Sequence, residues 1–414
     1  MKEKTLSPET KIMHMPYPAR DAYGALNMPV YYAVAYEFET AAQMELAFTG
    51  RSPEHVYSRV SNPTVQYFEN RVKALAGAGD AIAFNSGMAA IANTFVAIAH
   101  AGANIVTSPH LFGNTYSLLA FTLKDFGVEA RFCDLTNPAD VEKNIDKNTC
   151  AVFLEIITNP QMEVADLQEL SAHCRKHGIP LIADTTIVPF LVFHAADFGV
   201  DIEIVSSTKY ISGGATSLGG LVLDYASYDW QHSSKLRSLV GQPATSAFSC
   251  KMRREIHRNL GACMTPEVAA LQTTGLETLA VRYERATRTC RALAEKVQSL
   301  DGVCAVNYPA LPGHPFHDVS QRQFGDYPGA MFTFDLASRE AAFRFIDRLQ
   351  FIRRATNLFD NKTLAIHPAS TIFGTFTEEL RQSMDISQNT IRISVGLEDT
   401  DDLYHDIKQA AGNK

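Results

Sequence analysis

No stretch of this sequence approaches the roughly 18 consecutive apolar residues read as a membrane-spanning helix, so no membrane partner is expected. The opening MKEKTLSPETKIMH has no apolar run, and no secretory leader is expected. Lysine and arginine number 37 against 45 acidic residues, a formal net charge of −8, and the basic residues are scattered. That balance argues against the basic face that grips nucleic acid. The seven cysteines are Cys133, Cys150, Cys174, Cys250, Cys263, Cys290 and Cys304, and no two form a C-x-x-C pair. An odd, dispersed set fits neither a disulfide framework nor a zinc site; each is expected to be a reduced, small buried hydrophobe in a cytoplasmic protein. No G-x-G-x-x-G turn opens a helix, which removes the dinucleotide-binding dehydrogenases. Internal repeats and low-complexity linkers are also missing.

What is present is a chain of 414 residues, 46% apolar and 20% charged, longer than one compact core usually holds. Residues 1–60 are irregular and aromatic (YPARDAYGALNMPVYYAVAYEF), as expected of an arm lying on another subunit. Beyond them TVQYFENRVKALAG, GMAAIANTFVAIAHAG, NTYSLLAFTLKDFG and VADLQELSAHCRKHG read as helices. They alternate with short apolar strands: DAIAFNS, NIVTS, EARFCDL, TCAVFLEI, PLIADTT and IEIVSSTK. Such alternation predicts an α/β fold, a mainly parallel sheet with helices on both faces. From about 260, one long or broken helix precedes a strand, helix and strand (GAMFTFDL, AAFRFIDRLQFI, NTIRISVGLED), expected to form a smaller α/β domain. The expected division is an arm over 1–62, a large domain over 63–262 and a C-terminal domain over 263–414.

In parallel sheets ligands bind beyond the carboxyl ends of the strands, which singles out Ser86, Asp184 and Lys209. A lysine closing a strand is most often solvated. Here the preceding strand is apolar, the neighbours are small, and Ser206 and Thr208 supply hydroxyls. A desolvated lysine has a depressed pKa and can form a Schiff base, the chemistry of pyridoxal phosphate. That cofactor also needs a carboxylate at its pyridine nitrogen, for which Asp184 is the candidate, although a helix cap or a core hydrogen bond would explain an acid there equally well. Its phosphate needs backbone amides at a helix start, and AFNSGMAAI offers Ser86, Gly87 and Met88 there. Each signal is common alone; their order along the chain is the informative part.

Together with YSRVSNPT (57–64), FNSGMAAI (84–91), Asn159-Pro160, ADTT (183–186), SSTKY (206–210), KTLAIHPAS (362–370) and IRISVGLED (391–399), the chain resembles the Cys/Met-metabolism PLP enzymes. These are the cystathionine γ-synthase-like branch of the fold-type I enzymes, and the likeness spans about residues 25 to 400. The resemblance implies that Lys209 carries pyridoxal 5′-phosphate and moves protons, and that Asp184 pairs with the pyridinium nitrogen. Gly87, Met88, Ser206 and Thr208 would hold the phosphate, with Ser86 beside them. Tyr57 and Arg59 would reach the phosphate of a neighbouring subunit's cofactor, Arg392 would grip the substrate α-carboxylate, and Asn159 would lie near the cofactor O3′ and that carboxylate. A shared site of that kind implies a homodimer at least, and the family commonly forms homotetramers.

TSLGGLVLD with YDW (228–230), RNLGACMTP and LQTTGLETLAVRYER are most similar to the O-acetylhomoserine sulfhydrylases, enzymes that replace the γ-substituent of an activated homoserine by sulfur. Other positions depart from the family. Phe112 in LFGNTY replaces the ring-stacking tyrosine; Phe can stack but cannot donate a proton, which leaves Tyr57 as the nearest candidate acid for the leaving group. Asn114, Gly214, Asn357, Phe359 and Phe373 also differ from the usual residues, and several are expected to line the substrate pocket. Elimination from methionine or cystathionine to a 2-oxo acid and ammonia is therefore the alternative to γ-replacement on an O-acylhomoserine. A catalytically weak cofactor-binding homologue is a third, against which intact Lys209, Asp184 and Arg392 argue.

Overall fold

A computed structural model describes residues 6–14 and 23–412. Parts of the expected N-terminal arm, residues 1–5 and 15–22, lie outside the described residues.

The larger sheet is built from β1 (Asp80–Phe84), β2 (Asn104–Thr107), β3 (Glu129–Phe132), β4 (Thr149–Glu155), β5 (Leu181–Asp184), β6 (Ile202–Val205) and β7 (Gly220–Asp224). Their order is β1-β7-β6-β5-β4-β2-β3. Strands β2 to β6 pair in parallel, whereas β7 runs antiparallel to both β6 and β1. So β1 shares the direction of the parallel set and only β7 is reversed. This strand was not expected: GLVLD follows a glycine-rich tail, and a fully buried run of five carries no alternation to reveal it. The six expected strands are all present.

Alternation within the strands explains the helices on both faces. Ala81, Ala83, Val152, Leu154, Leu181 and Ala183 join one hydrophobic cluster, while Ile82, Phe84, Ala151, Phe153 and Ile182 join the other. The second face is covered by the helix Gly87–Ile98. The first face shares its core with the helix Leu279–Val297, which buries Tyr283, Cys290 and Leu293. The helical region after 260 is broken at Thr278, between Pro266–Glu277 and Leu279–Val297.

A second sheet follows, from β8 (Val303–Asn307), β9 (Met331–Leu336), β10 (Arg353–Arg354), β11 (Leu364–Ile366) and β12 (Thr390–Ser394), in the order β10-β11-β12-β9-β8. Only β9 and β12 were expected. Strands β10 and β11 are too short for a periodic signal, and β8 is largely exposed. Among the described residues no helix is long and apolar enough to cross a membrane. The cysteines divide in a way the sequence did not suggest: Cys133, Cys174, Cys250 and Cys290 are buried, Cys150 and Cys263 half-buried, and Cys304 is exposed. Cys304 lies on β8, whose side chains face outward at that position, so it is not a core hydrophobe.

Candidate active site

The ends of β1, β4, β5 and β6 open onto a cavity of about 350 Å³. It is lined by Ser86, Gly87, Met88, Phe112, Asn159, Asp184, Ser206, Thr208, Lys209, Asn357 and Arg392 among others. Every site residue expected from sequence is in this lining except Tyr57 and Arg59. Its walls also carry Ile91, Ile157, Ile187, Leu218, Leu358 and Ile372.

One end is a helix start. Ser86 caps Gly87–Ile98, its Oγ accepting from the Ala89 amide at 3.1 Å. The amides of Gly87 and Met88 precede the first intrahelical bond and are free to face an anion. A Cβ at Gly87 would lie 2.7 Å from Ser206 Cβ, so only glycine lets the helix start approach the turn after β6 this closely. That turn is fixed by Thr186, whose Oγ1 accepts from the Ser206 amide at 2.8 Å, and by Thr208, whose hydroxyl donates to Gly219 O at 3.1 Å.

Beside it lie two carboxyls and an amine. Glu155 and Asp184 are directly opposite each other in the parallel register of β4 and β5. Asp184 accepts from the Thr186 amide at 2.9 Å, and Glu155 accepts from the Phe112 amide at 2.7 Å. Burial raises the proton affinity of both; Glu155 is raised further by the charge of Asp184, whereas Thr186 and Lys209 oppose the rise at Asp184. Of the two, Glu155 is the more strongly raised and so holds a proton the more readily. Burial, reinforced by the Arg392 charge and opposed by Asp184, lowers the Lys209 pKa to about 8. The amine is thus partly neutral near physiological pH, as a nucleophile must be.

Glu155 was missed. It closes a buried strand just as Asp184 does, and the rule that singled out strand ends applies to it equally. Glu203 was missed as well: within the apolar β6 it is fully buried and accepts from the hydroxyls of Thr185 and Tyr225. Burial pushes it up to about 7. No local pattern announces its two donors.

Arg392, 2% exposed, projects from β12 of the second sheet. Its Nη1 donates to Asn159 Oδ1 at 3.2 Å and its Nη2 to the Asn357 carbonyl at 3.1 Å, while its Nε has no partner among the described residues. Burial lowers its pKa to about 9. A buried guanidinium with a spare donor and two neutral partners is prepared for a carboxylate. Asn357 also accepts from Lys209 Nζ at 2.8 Å.

Tyr57 and Arg59 are exposed, with the Arg59 guanidinium 5.3 Å from the Tyr57 ring and its Nη1 donating to Arg258 O at 2.7 Å. Their own chain does not bring them to the cavity. Of the unusual positions, Phe112 and Asn357 line it and the rest do not. Asn114 is exposed, and Phe359 is buried against Tyr210. Phe373 is fully buried in a satellite cluster with Ala369, Met384 and Ile386, and its neighbour Ile372 reaches the cavity instead.

The family model for Cys/Met metabolism PLP-dependent enzymes matches residues 9–411. The O-acetyl-L-homoserine sulfhydrylase of Corynebacterium glutamicum is 31% identical over 97% of this chain and 95% of its own length. For O-acetyl-L-homoserine sulfhydrylase 1 of Thermus thermophilus the identity is 33%, over 97% and 99%. A solved O-acetylhomoserine (thiol)-lyase of Campylobacter jejuni, bearing a pyridoxyl-lysine phosphate, superposes with a TM-score of 0.92 at 34% identity, over 99% of this chain and 100% of that one. The chain belongs to the Cys/Met metabolism PLP-dependent enzymes, with pyridoxal 5′-phosphate as its cofactor.

Proposed function

We propose that this enzyme replaces the γ-substituent of an O-acylhomoserine with a sulfur nucleophile. The observation that carries the reading is the single cavity joining Lys209, Asp184, a helix start and Arg392, in a chain whose relatives bear sulfhydrylase names. When bound, pyridoxal phosphate supplies an electron sink for negative charge on the substrate carbons.

The protein's own groups do the rest. Lys209 takes and returns protons at the substrate carbons, since its pKa near 8 matches that task. Asp184, whose rise Thr186 and Lys209 oppose, would pair with the ring nitrogen. The Gly87 and Met88 amides with the Ser206 and Thr208 hydroxyls would hold the phosphate, and Phe112 would supply an aromatic wall to the cofactor. Arg392, with Asn159 and Asn357, takes the α-carboxylate. Among the described residues the cations lining the cavity are Lys209 and Arg392, both engaged by Asn357, and neither of them is left for the phosphate end. That supports Arg59 and Tyr57 of a second copy as its completion, hence a homodimer at least, assembled further into a homotetramer in the cytoplasm. We keep the division of the chain at 62 and 262.

Arg59→Ala is expected to weaken cofactor retention about 10-fold or more, a lost charge-assisted bond being worth roughly 1.5–3 kcal/mol. Equilibrium dialysis of the cofactor measures this, and unchanged affinity would count against a second copy's arginine. Phe112 removes the hydroxyl that could protonate a leaving group. Phe112→Tyr should therefore raise γ-elimination by about 10-fold or more, within the range of general acid catalysis. A rate equal to the parent's would mean that another acid, such as Tyr57, does that work. The reaction itself is decided by spectral titration with O-acetylhomoserine, O-succinylhomoserine, methionine and cystathionine, followed by 2-oxo acid assays with and without sulfide. Thioether or homocysteine formation with sulfur present supports replacement; 2-oxo acid and ammonia regardless of sulfide would mean a lyase.

A further inference from the structure

Phe359 has φ 58°, a left-handed backbone that a residue with a Cβ adopts only at a steric cost. Such a conformation persists where the surroundings over-determine it, and these are often functional sites. Here the surroundings are an aromatic stack. The Phe359 ring lies on the Tyr210 ring with centroids 3.9 Å apart and 9° between planes, and the residue is 2% exposed. Its amide donates to Ser394 Oγ at 2.8 Å. Tyr210 is held in turn, its hydroxyl accepting from the Ala330 amide at 2.9 Å and its ring meeting Tyr283 edge-on.

Tyr210 directly follows Lys209, and the contact is one of three between the same two segments. Asn357 Oδ1 accepts from Lys209 Nζ at 2.8 Å, Phe359 stacks on Tyr210, and Asn361 Nδ2 donates to Gly213 O at 3.0 Å. Alternate residues of the 356–361 loop thus track the lysine turn. The Asn361 amide also fills the space beside Gly214, where a Cβ would lie 2.3 Å from Asn361 Nδ2 and where φ is +125°. Gly214 and Asn361 therefore form one fitted pair. The consequence falls on Asn357, whose side chain meets Lys209 while its carbonyl meets Arg392.

We propose that Phe359 is a positioning residue: stacked on Tyr210, it holds the 356–361 loop in a left-handed turn that presents Asn357 to Lys209 and Arg392 together. The inference rests on Lys209 carrying the cofactor and Arg392 receiving the carboxylate. Lys209 is faced by Asp184 from β5, Arg392 from β12 and Asn357 from the loop, with Glu155 beside Asp184. Of these, Asn357 is the one whose place depends on the stack.

The test uses holoenzyme carrying Phe359→Ala, Phe359→Gly or Asn357→Ala, and the double variant Asn357→Ala with Phe359→Ala. Three quantities are read: the pH midpoint of the bound cofactor's visible absorption, KM against kcat for the amino acid, and Tm. We expect both Phe359 variants to move the midpoint as Asn357→Ala does and to raise KM about 10-fold, with the double variant no worse than Asn357→Ala alone. Glycine relieves the backbone strain yet removes the ring. Parent-like midpoint and KM in Phe359→Gly, a lowered Tm alone in Phe359→Ala, or additive effects in the double variant would each overturn the proposal. Should alanine leave no folded protein, Phe359→Leu, which fills space without stacking, carries the same readouts. Failure of the underlying reading is distinguishable, because Lys209→Ala would then keep the absorption band whatever the Phe359 variants do.

Discussion

Lys209→Ala is expected to abolish the visible absorption of the purified protein and to lower turnover by at least about 10⁴-fold, the upper end of what a positioned proton-transfer group supplies. Among the described residues Lys209 is the one lysine lining the cavity, and it lies just past the end of β6 with its Nζ on Asn357. A borohydride-reducible cofactor adduct persisting in the variant would falsify the assignment. The same residue makes a stability prediction. A lysine lowered from 10.5 to about 8 binds its proton less readily in the folded than in the unfolded chain. Below about pH 8 the full penalty is present, up to about 3 kcal/mol at 1.4 kcal/mol per pH unit. It fades as pH rises from 8 to 10.5, so folded stability climbs across that window. Cofactor-free Lys209→Met should accordingly be more stable than the cofactor-free parent at pH 7, with the gap narrowing above pH 8 in urea titrations. A gap independent of pH would mean that the amine is solvated.

Arg392→Ala is expected to raise KM for the amino-acid substrate about 100-fold or more, with a smaller fall in kcat. Removing one partner of a buried, hydrogen-bonded charge pair costs roughly 2–5 kcal/mol, and 2.8 kcal/mol is about 100-fold. Arg392 is 2% exposed and, among the described residues, its guanidinium holds neutral partners and its Nε has none. Without substrate its charge is poorly compensated, which is the same burial that lowers its pKa to about 9. Arg392→Lys should recover part of the affinity, because an ammonium restores the charge but not the planar pair of donors. Steady-state kinetics across amino acids and their amides check this. If the variant distinguished acid from amide as the parent does, the carboxylate would be bound elsewhere.

The expectation for Lys209 could be framed from sequence because the cofactor apparatus is local, whereas that for Arg392 came only with the family resemblance. The helix start at Ser86–Met88, the carboxylate ending β5 and the lysine after β6 each sit within a few residues of a strand end, and strand ends were recognisable from apolar runs flanked by Gly, Ser or Thr. Glu155 obeyed the same rule and was passed over. Glu203 could not have been found, because its hydroxyl donors come from Thr185 and Tyr225, 18 and 22 residues away, and nothing in an apolar strand announces them. The unusual residues were recognisable as unusual, but their places were not. Phe373, one of the unusual positions of which several were expected at the pocket, is interior, while Ile372 is at the wall. A one-residue difference in which way a side chain points is set by the packing of the loop after Pro368–Ser370 and not by its composition.

The sequence by itself determined the α/β alternation, the cofactor and the order of its ligands, because strand periodicity, turns and helix caps are short-range properties of the chain. Tertiary structure alone decided the reversed β7, the second sheet's short strands and the joining of Lys209 to the 356–361 loop. The Lys209–Asn357 and Gly213–Asn361 contacts each span 148 residues, and Asn159–Arg392 spans 233. Contacts at such separations depend on how two sheets pack through a shared core, and no local pattern encodes that. Tertiary structure likewise paired Gly214, one of the departures, with Asn361, since an amide can occupy that space only where the facing residue has no Cβ.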